Sequence, residues 1–213
     1  MKTRDKIVSA ALELFNEHGE RSITTNHIAA HIEISPGNLY YHFRNKQEIV
    51  RDIFVLYSQE LLKRFEPVQG QTESLVLLKQ YLDSIFTLMW KYRFFYANLP
   101  DILQRDPSLH HDYIAVQKQL QANLNDIMRT FAQLGLLKIE ESEIPQLVVS
   151  LHLIASGWLA YRSAMNASES VTEQVVHQGM LQMILVVKPL ATPLGREQLE
   201  LLEESIRTTY PQA

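Results

Sequence analysis

The amino-acid sequence predicts an all-α fold, and three observations support this prediction. Leu, Gln, Glu and Ala dominate the long segments, and these residues favour helices. Seven Gly and eight Pro are few for 213 residues, and runs of β-branched residues are scarce. Apolar residues recur three and four positions apart, which is the period of an amphipathic helix. The hydrophobic share of 46% is enough for a folded core.

The N-terminal part of the chain begins with two predicted helices. Apolar residues at helical spacing place the first helix at about 3–18, and Gly19 follows it as a C-cap. Thr24 is the predicted N-cap of the second helix. Since His27 rather than Glu stands three positions later, no capping box is expected there.

The next two helices have clear start signals. Ser35 followed by Pro36 combines an N-cap residue with a proline at the first helical position. Asn45 caps a fourth helix, which is predicted to run from Lys46 to about Phe65.

The remainder of the chain is predicted to be a larger helical domain. Pro67-Val-Gln-Gly70 is the clearest break between the two parts. Residues 1–46 are assigned to a three-helix domain with a helix-turn-helix, and residues 47–213 to the larger domain, with the helix over 46–66 connecting them. Further helices are predicted at about 72–91, 93–104, 108–134, 142–166, 169–187 and 195–208.

Composition excludes several classes of protein. The chain has no Cys, so disulfides and thiol chemistry are excluded. Charges interrupt the apolar positions of the N-terminal segment, which is therefore not read as a secretory signal peptide. No uninterrupted apolar run of membrane-spanning length is present, so no membrane span is expected. A soluble cytoplasmic protein is the expectation.

The charge distribution permits a nucleic-acid partner without identifying one. The net charge is −4, but residues 1–66 are neutral overall and residues 67–213 hold the whole excess. A neutral segment can bind DNA when its cations lie on one face. Candidates for such a face are Lys2, Arg4, Lys6, Arg44 and Lys46.

The third helix has two faces of different chemistry. Leu39 and Phe43 are four residues apart and share a face that can pack on the preceding helices. Asn38, Tyr41 and His42 lie on a second face. Asn can pair with adenine, and Tyr and His can contact phosphate, sugar or a thymine methyl group. This face predicts contact with the major groove of DNA, although aromatic residues of a short helix can also be ordinary packing residues.

The whole stretch from Thr24 to Lys46, TTNHIAAHIEISPGNLYYHFRNK, is more specific than any one of its residues. It resembles the DNA-binding motif of the TetR-family transcriptional regulators. The resemblance covers residues from about 4 to 60, and the length of the chain and its helical remainder also fit that family.

The resemblance implies a set of contacts around the start of the second helix. Thr24 and Thr25 are expected to open that helix and to touch phosphate. Asn26 occupies a position that reaches a base in some members of the family. Lys46, at the start of the fourth helix, is expected to bind phosphate.

The third helix is the implied recognition helix. Gly37 and Asn38 are expected to form its base-reading start. Tyr40, Tyr41 and His42 are expected to contact the groove and the DNA backbone.

One residue departs from the family pattern. Glu33 stands in the turn where the family usually has Gly, and this position tends toward a left-handed backbone. A non-Gly residue there costs roughly 1 kcal/mol, and its negative charge is expected to weaken binding to DNA.

The same resemblance implies that the larger domain binds an effector and forms a homodimer. Helices 142–166 and 169–187 carry apolar stripes that would make an intersubunit four-helix bundle, although such stripes can also be the core of a monomer. Two recognition helices would then read a palindromic operator on double-stranded DNA.

The effector is expected to be a small apolar or aromatic molecule, because the middle of the chain is rich in aromatic residues. The predicted pocket residues, chosen for their aromatic or soft side chains, are Met89, Trp90, Phe94, Tyr113, His152 and Trp158. No motif for a catalytic site, a metal or a cofactor is found, and none is expected.

The favoured interpretation is a ligand-responsive regulator, most simply a repressor that a small molecule releases from its operator. Activation instead of repression fits the sequence equally. The alternative from another class is a helical carrier or an enzyme that does not bind DNA, and the net charge of −4 and Glu33 are its support.

Overall fold

The computed structural model describes residues 2–68, 73–166 and 171–209. Within these ranges the helices are connected by short turns and loops, and two short 3-10 helices lie at Glu20–Ser22 and Lys188–Leu190. The α-helices are α1 Thr3–His18, α2 Thr25–His31, α3 Pro36–His42, α4 Lys46–Arg64, α5 Ser74–Lys91, α6 Arg93–Arg105, α7 Pro107–Gln133, α8 Ile144–Met165, α9 Glu173–Val187 and α10 Pro193–Thr209.

The all-α prediction is confirmed, and the helix ends that can be compared agree with the predicted ones within two residues. Ser35 and Asn45 accept hydrogen bonds from the backbone of Asn38 and Glu48, so both predicted N-caps are formed. The predicted helix starts at 72 and 169, and the end of the break at 69–70, lie outside the described residues.

The prediction that α2 lacks a capping box is wrong. The hydroxyl of Thr24 accepts from the backbone N–H of His27 at 3.3 Å, and the Nδ1 atom of His27 accepts from the backbone N–H of Thr24 at 3.3 Å. The imidazole nitrogen therefore does what a Glu carboxylate usually does at this position. Both bonds fix the start of the helix-turn-helix.

Helices α1 to α4 share a core that holds the helix-turn-helix. Each helix contributes side chains with almost no exposure to solvent, because short helices are stable only when their apolar faces are packed. These buried side chains are Ile7, Ala11, Phe15, Ile28, Leu39, Phe43, Ile49 and Ile53.

Helices α5 to α10 form the larger part, with α8 packed against α6, α7 and α9. The start of α10 is fastened to the segment after α7: Thr192 donates to the carbonyl of Leu136 at 3.0 Å, and Lys138 donates to the carbonyl of Leu190 at 2.8 Å. Gly195 lies so close to this segment that a Cβ atom on it would be 2.0 Å from the Leu136 oxygen. The glycine is therefore required by the close approach of two backbones.

Candidate nucleic-acid interface and internal cavity

Helix α3 presents Tyr41 to solvent. Leu39 and Phe43 are 0% and 1% exposed on one side of the helix, whereas Tyr41 is 85% exposed on the other. Its ring lies edge-on to that of His42, with centroids 5.2 Å apart. Tyr41 is therefore on the outer side of α3, opposite the side that packs into the core.

The other residues of the predicted DNA face differ in their exposure to solvent and in their contacts within the protein. Asn26, Gly37 and Asn38 are exposed; Asn26 is in the first turn of α2, and the other two are in the first turn of α3. The hydroxyl of Tyr40 lies 3.0 Å from that of Thr25, so these two side chains tie α3 to α2. Among these residues, the described structure leaves Asn26, Asn38 and Tyr41 most available to a partner.

The turn between the two helices has the backbone that the sequence predicts. Glu33 has φ of 57°, the one positive φ at a non-Gly residue in the described ranges. Ile34 donates to the carbonyl of Ala29 at 3.0 Å, and Glu33 donates to that of Ala30 at 3.2 Å. This pair of bonds is a Schellman motif, in which the left-handed position is normally Gly. The backbone of Glu33 is therefore strained in the left-handed conformation, which Gly would adopt without strain.

Lys46 does not present its ammonium group to DNA as the resemblance implied. Its Nζ donates to the backbone carbonyls of Glu20 at 2.7 Å and Ile23 at 3.0 Å. It also pairs with the Glu20 carboxylate at 2.9 Å, and its side chain is only 19% exposed. An ammonium has three donors, and all three are used inside the protein. What remains for a phosphate is the backbone N–H at the start of α4.

Glu20 is a buried carboxylate that joins the two parts of the chain. Its side chain is 3% exposed, and its second oxygen accepts from Arg105 of α6 at 2.6 Å. Burial alone would raise the pKa of Glu20, but the hydrogen bonds from Arg105 and Lys46 outweigh it and hold that pKa below its ordinary value. Sequence reasoning missed this residue, since nothing in a loop distinguishes a buried Glu from an exposed one.

Two more links connect the helix-turn-helix part with α6 and α7. Arg51 of α4 forms a two-pronged pair with Asp106 at 2.6 and 2.9 Å, and Asp106 is also the N-cap of α7. The side chain of Asn16 donates to the carbonyl of Lys91 and accepts from the backbone of Phe94. The end of α5 and the start of α6 are thus held against α1, and the start of α7 is held against α4.

A cavity of about 150 Å³ lies inside the larger part, bordered by α4 to α10. Three of the six predicted pocket residues line it: Met89, Tyr113 and His152. Most of the lining is aliphatic or aromatic, as expected for the site of an apolar molecule. Besides four tyrosines, the polar side chains of the lining are Gln117 of α7 and His152 and Ser156 of α8.

The other three pocket residues are not among those that line the cavity. Phe94 packs against Phe15 of α1, with ring centroids 5.3 Å apart. Trp90 lies under the guanidinium of Arg93 at 4.2 Å. The indole of Trp158 donates to the carbonyl of Val175 at 2.6 Å and so joins α8 to α9. Helical spacing shows that an aromatic residue is on an apolar face, but not which neighbour that face meets.

The outer face of α8 is apolar and exposed. Val149, Leu153, Tyr161 and Met165 are 47%, 64%, 56% and 65% exposed. By length and composition alone α8 could also cross a membrane, with a mean hydropathy of 1.3. On α9 the predicted dimer stripe is turned inward, since Val175, Val176, Met180, Met183 and Ile184 are buried within the protomer.

Comparison with known proteins identifies the family. A model described as "Bacterial regulatory proteins, tetR family" matches residues 7–53, and one described as "Bacterial transcriptional repressor" matches residues 56–199. The second match alone covers more than half of the chain.

The chain belongs to the TetR family.

A solved structure from the family supports the assignment along nearly the whole chain. The crystal structure of a TetR-family transcriptional regulator from Marinobacter aquaeolei VT8 is similar with a TM-score of 0.84 and 38% identity, over 97% of this chain and 99% of that one. PfmR from Thermus thermophilus shares the fold, with a TM-score of 0.64 and 16% identity over 85% and 97% of the chains. The TetR-family fold therefore includes both parts of this molecule.

Curated relatives match over a shorter length. The HTH-type transcriptional regulator UidR of Escherichia coli (strain K12) is 39% identical over 69 residues, which is 32% of this chain and 35% of UidR. The chain thus matches about a third of the length of this relative. Membership in the TetR family favours a DNA-binding regulator over the helical carrier or enzyme that the net charge had left open.

Proposed function

We propose that this TetR-family protein is a repressor that binds a palindromic operator on double-stranded DNA as a homodimer and is released by a small apolar or aromatic molecule. The observation that carries the proposal is the exposure of Tyr41 on α3, opposite a buried face of the same helix. The proposed contacts are Thr24, Thr25, Asn26, Gly37, Asn38, Tyr40, Tyr41 and His42, with the backbone of Lys46 rather than its ammonium at the phosphate.

The DNA-binding proposal is tested by selecting binding sites from randomised duplexes and measuring affinity by fluorescence anisotropy at fixed salt. The selected sites should be palindromes with half-sites about one helical turn apart, or a multiple of this. Tyr41→Ala should weaken binding to the selected site at least about tenfold, because each subunit loses one contact. Leu194→Ala, which alters an exposed side chain on α10, is the control. Equal affinity of the two variants would refute the assignment of this face.

We also propose that the dimer forms through the outer face of α8 together with the exposed side of α9. The row of exposed apolar side chains on α8 supports this, since an apolar helix face without a partner is unfavourable in water. On α9 the support comes from Leu185, which is 62% exposed, rather than from the buried stripe.

The dimer proposal is tested by placing a charge in the middle of this face. Leu153→Glu should convert the dimer into a monomer in sedimentation velocity, because two carboxylates would meet near the symmetry axis. Val76→Glu places the same charge on α5, where Val76 is 52% exposed, and should leave the dimer intact. If Leu153→Glu remains dimeric at low protein concentration, the interface lies elsewhere.

We propose that the effect of ligand binding reaches the helix-turn-helix through α6 and so releases the operator. This helix contributes Phe95, Tyr96 and Leu99 to the cavity, and at its C-terminal end it holds Glu20 through Arg105. A ligand that favours a different position of α6 would therefore move the helix-turn-helix and change the spacing of the two recognition helices. Arg105→Gln should keep operator binding but weaken its response to the effector.

The division into residues 1–46 and 47–213, with helix 46–66 as the connection, is retained as part of this proposal. Its support is that α1 to α3 share one core with α4, whereas the cavity lies in the remainder. A cytoplasmic location is proposed because operator DNA is there.

A further inference from the structure

The cavity has no charged lining. Its walls are built from residues such as Leu88, Met89, Ile127 and Phe131, and within the described ranges no Lys, Arg, Asp or Glu contributes to it. A carboxylate or an ammonium entering this space would lose its hydration without gaining a counter-charge. The volume of about 150 Å³ is comparable with an apolar cavity that holds one benzene ring.

Two polar side chains are placed in this apolar surround without partners of their own. The Oε1 atom of Gln117 on α7 is buried and accepts no hydrogen bond within the described part of the chain. The imidazole of His152 on α8 makes no hydrogen bond to any described residue. Burial lowers the pKa of His152, so its ring is neutral at pH 7 and carries one N–H donor and one acceptor.

An unpaired buried acceptor is unfavourable, and native proteins usually satisfy such an atom. Helices α7 and α8 pack against each other, so Gln117 and His152 border the same space. A group that donates to the Gln117 oxygen and accepts from the His152 N–H would satisfy both. A hydroxyl group does both with one oxygen atom.

We propose that the cavity recognises a small uncharged alcohol, with a phenol of single-ring size as its best fit, whose hydroxyl group is bound between Gln117 and His152. The ring or alkyl body then fills the apolar remainder of the cavity. This proposal rests on the proposed effector function and gives the chemical class of the effector. Carboxylic acids, amines and phosphorylated molecules are excluded by the uncharged lining.

The test uses four probes that share a 4-ethylphenyl group. These are 4-ethylphenol, 4-ethyltoluene, 4-ethylbenzoate and 4-ethylbenzylammonium, each titrated into the full-length protein without DNA by isothermal titration calorimetry at pH 7.5. The phenol should bind about 25-fold more tightly than 4-ethyltoluene, which corresponds to two neutral hydrogen bonds worth about fivefold each. The two charged probes should bind at least about 100-fold more weakly than the phenol.

Variants assign the preference to the two polar side chains. Gln117→Leu keeps the size of the side chain and should reduce the ratio between 4-ethylphenol and 4-ethyltoluene about fivefold. His152→Phe should reduce the ratio by a similar factor. Gln119→Leu is the matched control, since Gln119 is on the same helix but exposed and bonded to Asn123. Thermal unfolding of each variant reports whether the fold is kept, and 4-ethyltoluene reports whether the cavity is kept.

Several results would overturn the proposal. Equal binding of 4-ethylphenol and 4-ethyltoluene would show that the cavity does not recognise a hydroxyl group. Binding of neither probe would show that the cavity does not accept molecules of this class. A ratio that Gln117→Leu and Gln119→Leu leave equally unchanged would remove Gln117 from recognition.

The outcome is separable from that of the proposed function. If 4-ethylphenol binds as expected but does not release the operator, the ligand class stands and the release mechanism is wrong. If the protein binds no palindromic DNA, the proposed repressor function is wrong, but the ligand titrations still test which class of molecule the cavity binds.

Discussion

Replacing Lys46 with Met separates two roles that its position in the motif allows. The resemblance to the family implied a phosphate contact, whereas the structure directs Nζ to Glu20 and to two loop carbonyls. Methionine keeps a long unbranched side chain but removes the charge and the three donors. The variant therefore loses the internal contacts in any case, and loses a phosphate contact only if one exists.

The expected loss of stability follows from the burial of the pair. Removing one partner of a buried ion pair costs about 3–5 kcal/mol. Here Arg105 still holds the other carboxylate oxygen of Glu20 at 2.6 Å. The loss should therefore be at or below the lower limit of this range, about 2–3 kcal/mol. For a chain of this length that lowers the midpoint of thermal unfolding by about 4 to 12 °C.

The assay combines thermal unfolding with the salt dependence of operator binding. Each phosphate contact contributes about 0.9 to the slope of the logarithm of the association constant against the logarithm of salt concentration. A dimer that lost two such contacts would show a slope smaller by about 1.8. We expect an unchanged slope for Lys46→Met together with the lowered midpoint.

Lys63→Met is the control for charge, since Lys63 is exposed in the last turn of α4, away from α3. It should change neither the midpoint nor the slope. A slope reduced by about 1.8 in Lys46→Met, with a midpoint equal to that of Lys63→Met, would refute the internal role and restore the phosphate contact.

Three further predictions concern the turn, the cavity and a close backbone contact. Glu33→Gly should raise the free energy of unfolding by about 0.5–1 kcal/mol, since the relief of the left-handed strain exceeds the entropy that Gly adds to the unfolded chain; a destabilised variant in urea denaturation would contradict this. The pKa of half-buried His152 is lowered by desolvation, so the unfolded chain binds the proton first and stability should fall as the pH drops below the ordinary histidine pKa of about 6.5. Urea denaturation at pH 7.5, 6.5 and 5.5 measures this, and a decline as steep in His152→Phe would assign it to other groups. Gly195→Ala should destabilise by about 3 kcal/mol or more, because its Cβ would meet the backbone oxygen of Leu136 at 2.0 Å. Leu194→Ala, at the exposed neighbouring position, is the control, and equal thermal midpoints for the two variants would disprove the clash.

The sequence was sufficient for features that depend on neighbours a few residues away. Ser35-Pro36 and Asn45 mark helix starts because a side-chain cap acts over three residues. The exposed face of α3 followed from the spacing of Leu39 and Phe43, since residues four apart share one side of a helix. The left-handed backbone at Glu33 was implied by the family resemblance, because the family usually has Gly at this position of the turn.

The same local reasoning failed where a different residue type makes the same hydrogen bond. His27 closes the capping box of α2 with a ring nitrogen, although the sequence pattern for that motif requires Glu or Gln. The pattern names residue types, whereas the motif needs only an acceptor at the correct distance.

Tertiary structure decided where long side chains point and which faces of apolar helices are buried. The ammonium of Lys46 is drawn inward by Glu20, which is in turn held by Arg105, 85 residues later in the chain. The apolar stripe of α9 is core rather than interface because α5 and α8 cover it, and half of the predicted pocket residues pack elsewhere for the same reason. The sequence by itself therefore determined that this chain folds into helices with a helix-turn-helix near its start. Only the packed structure decided which charges remain free and which apolar faces enclose a cavity, because both depend on contacts between residues that are far apart in the chain.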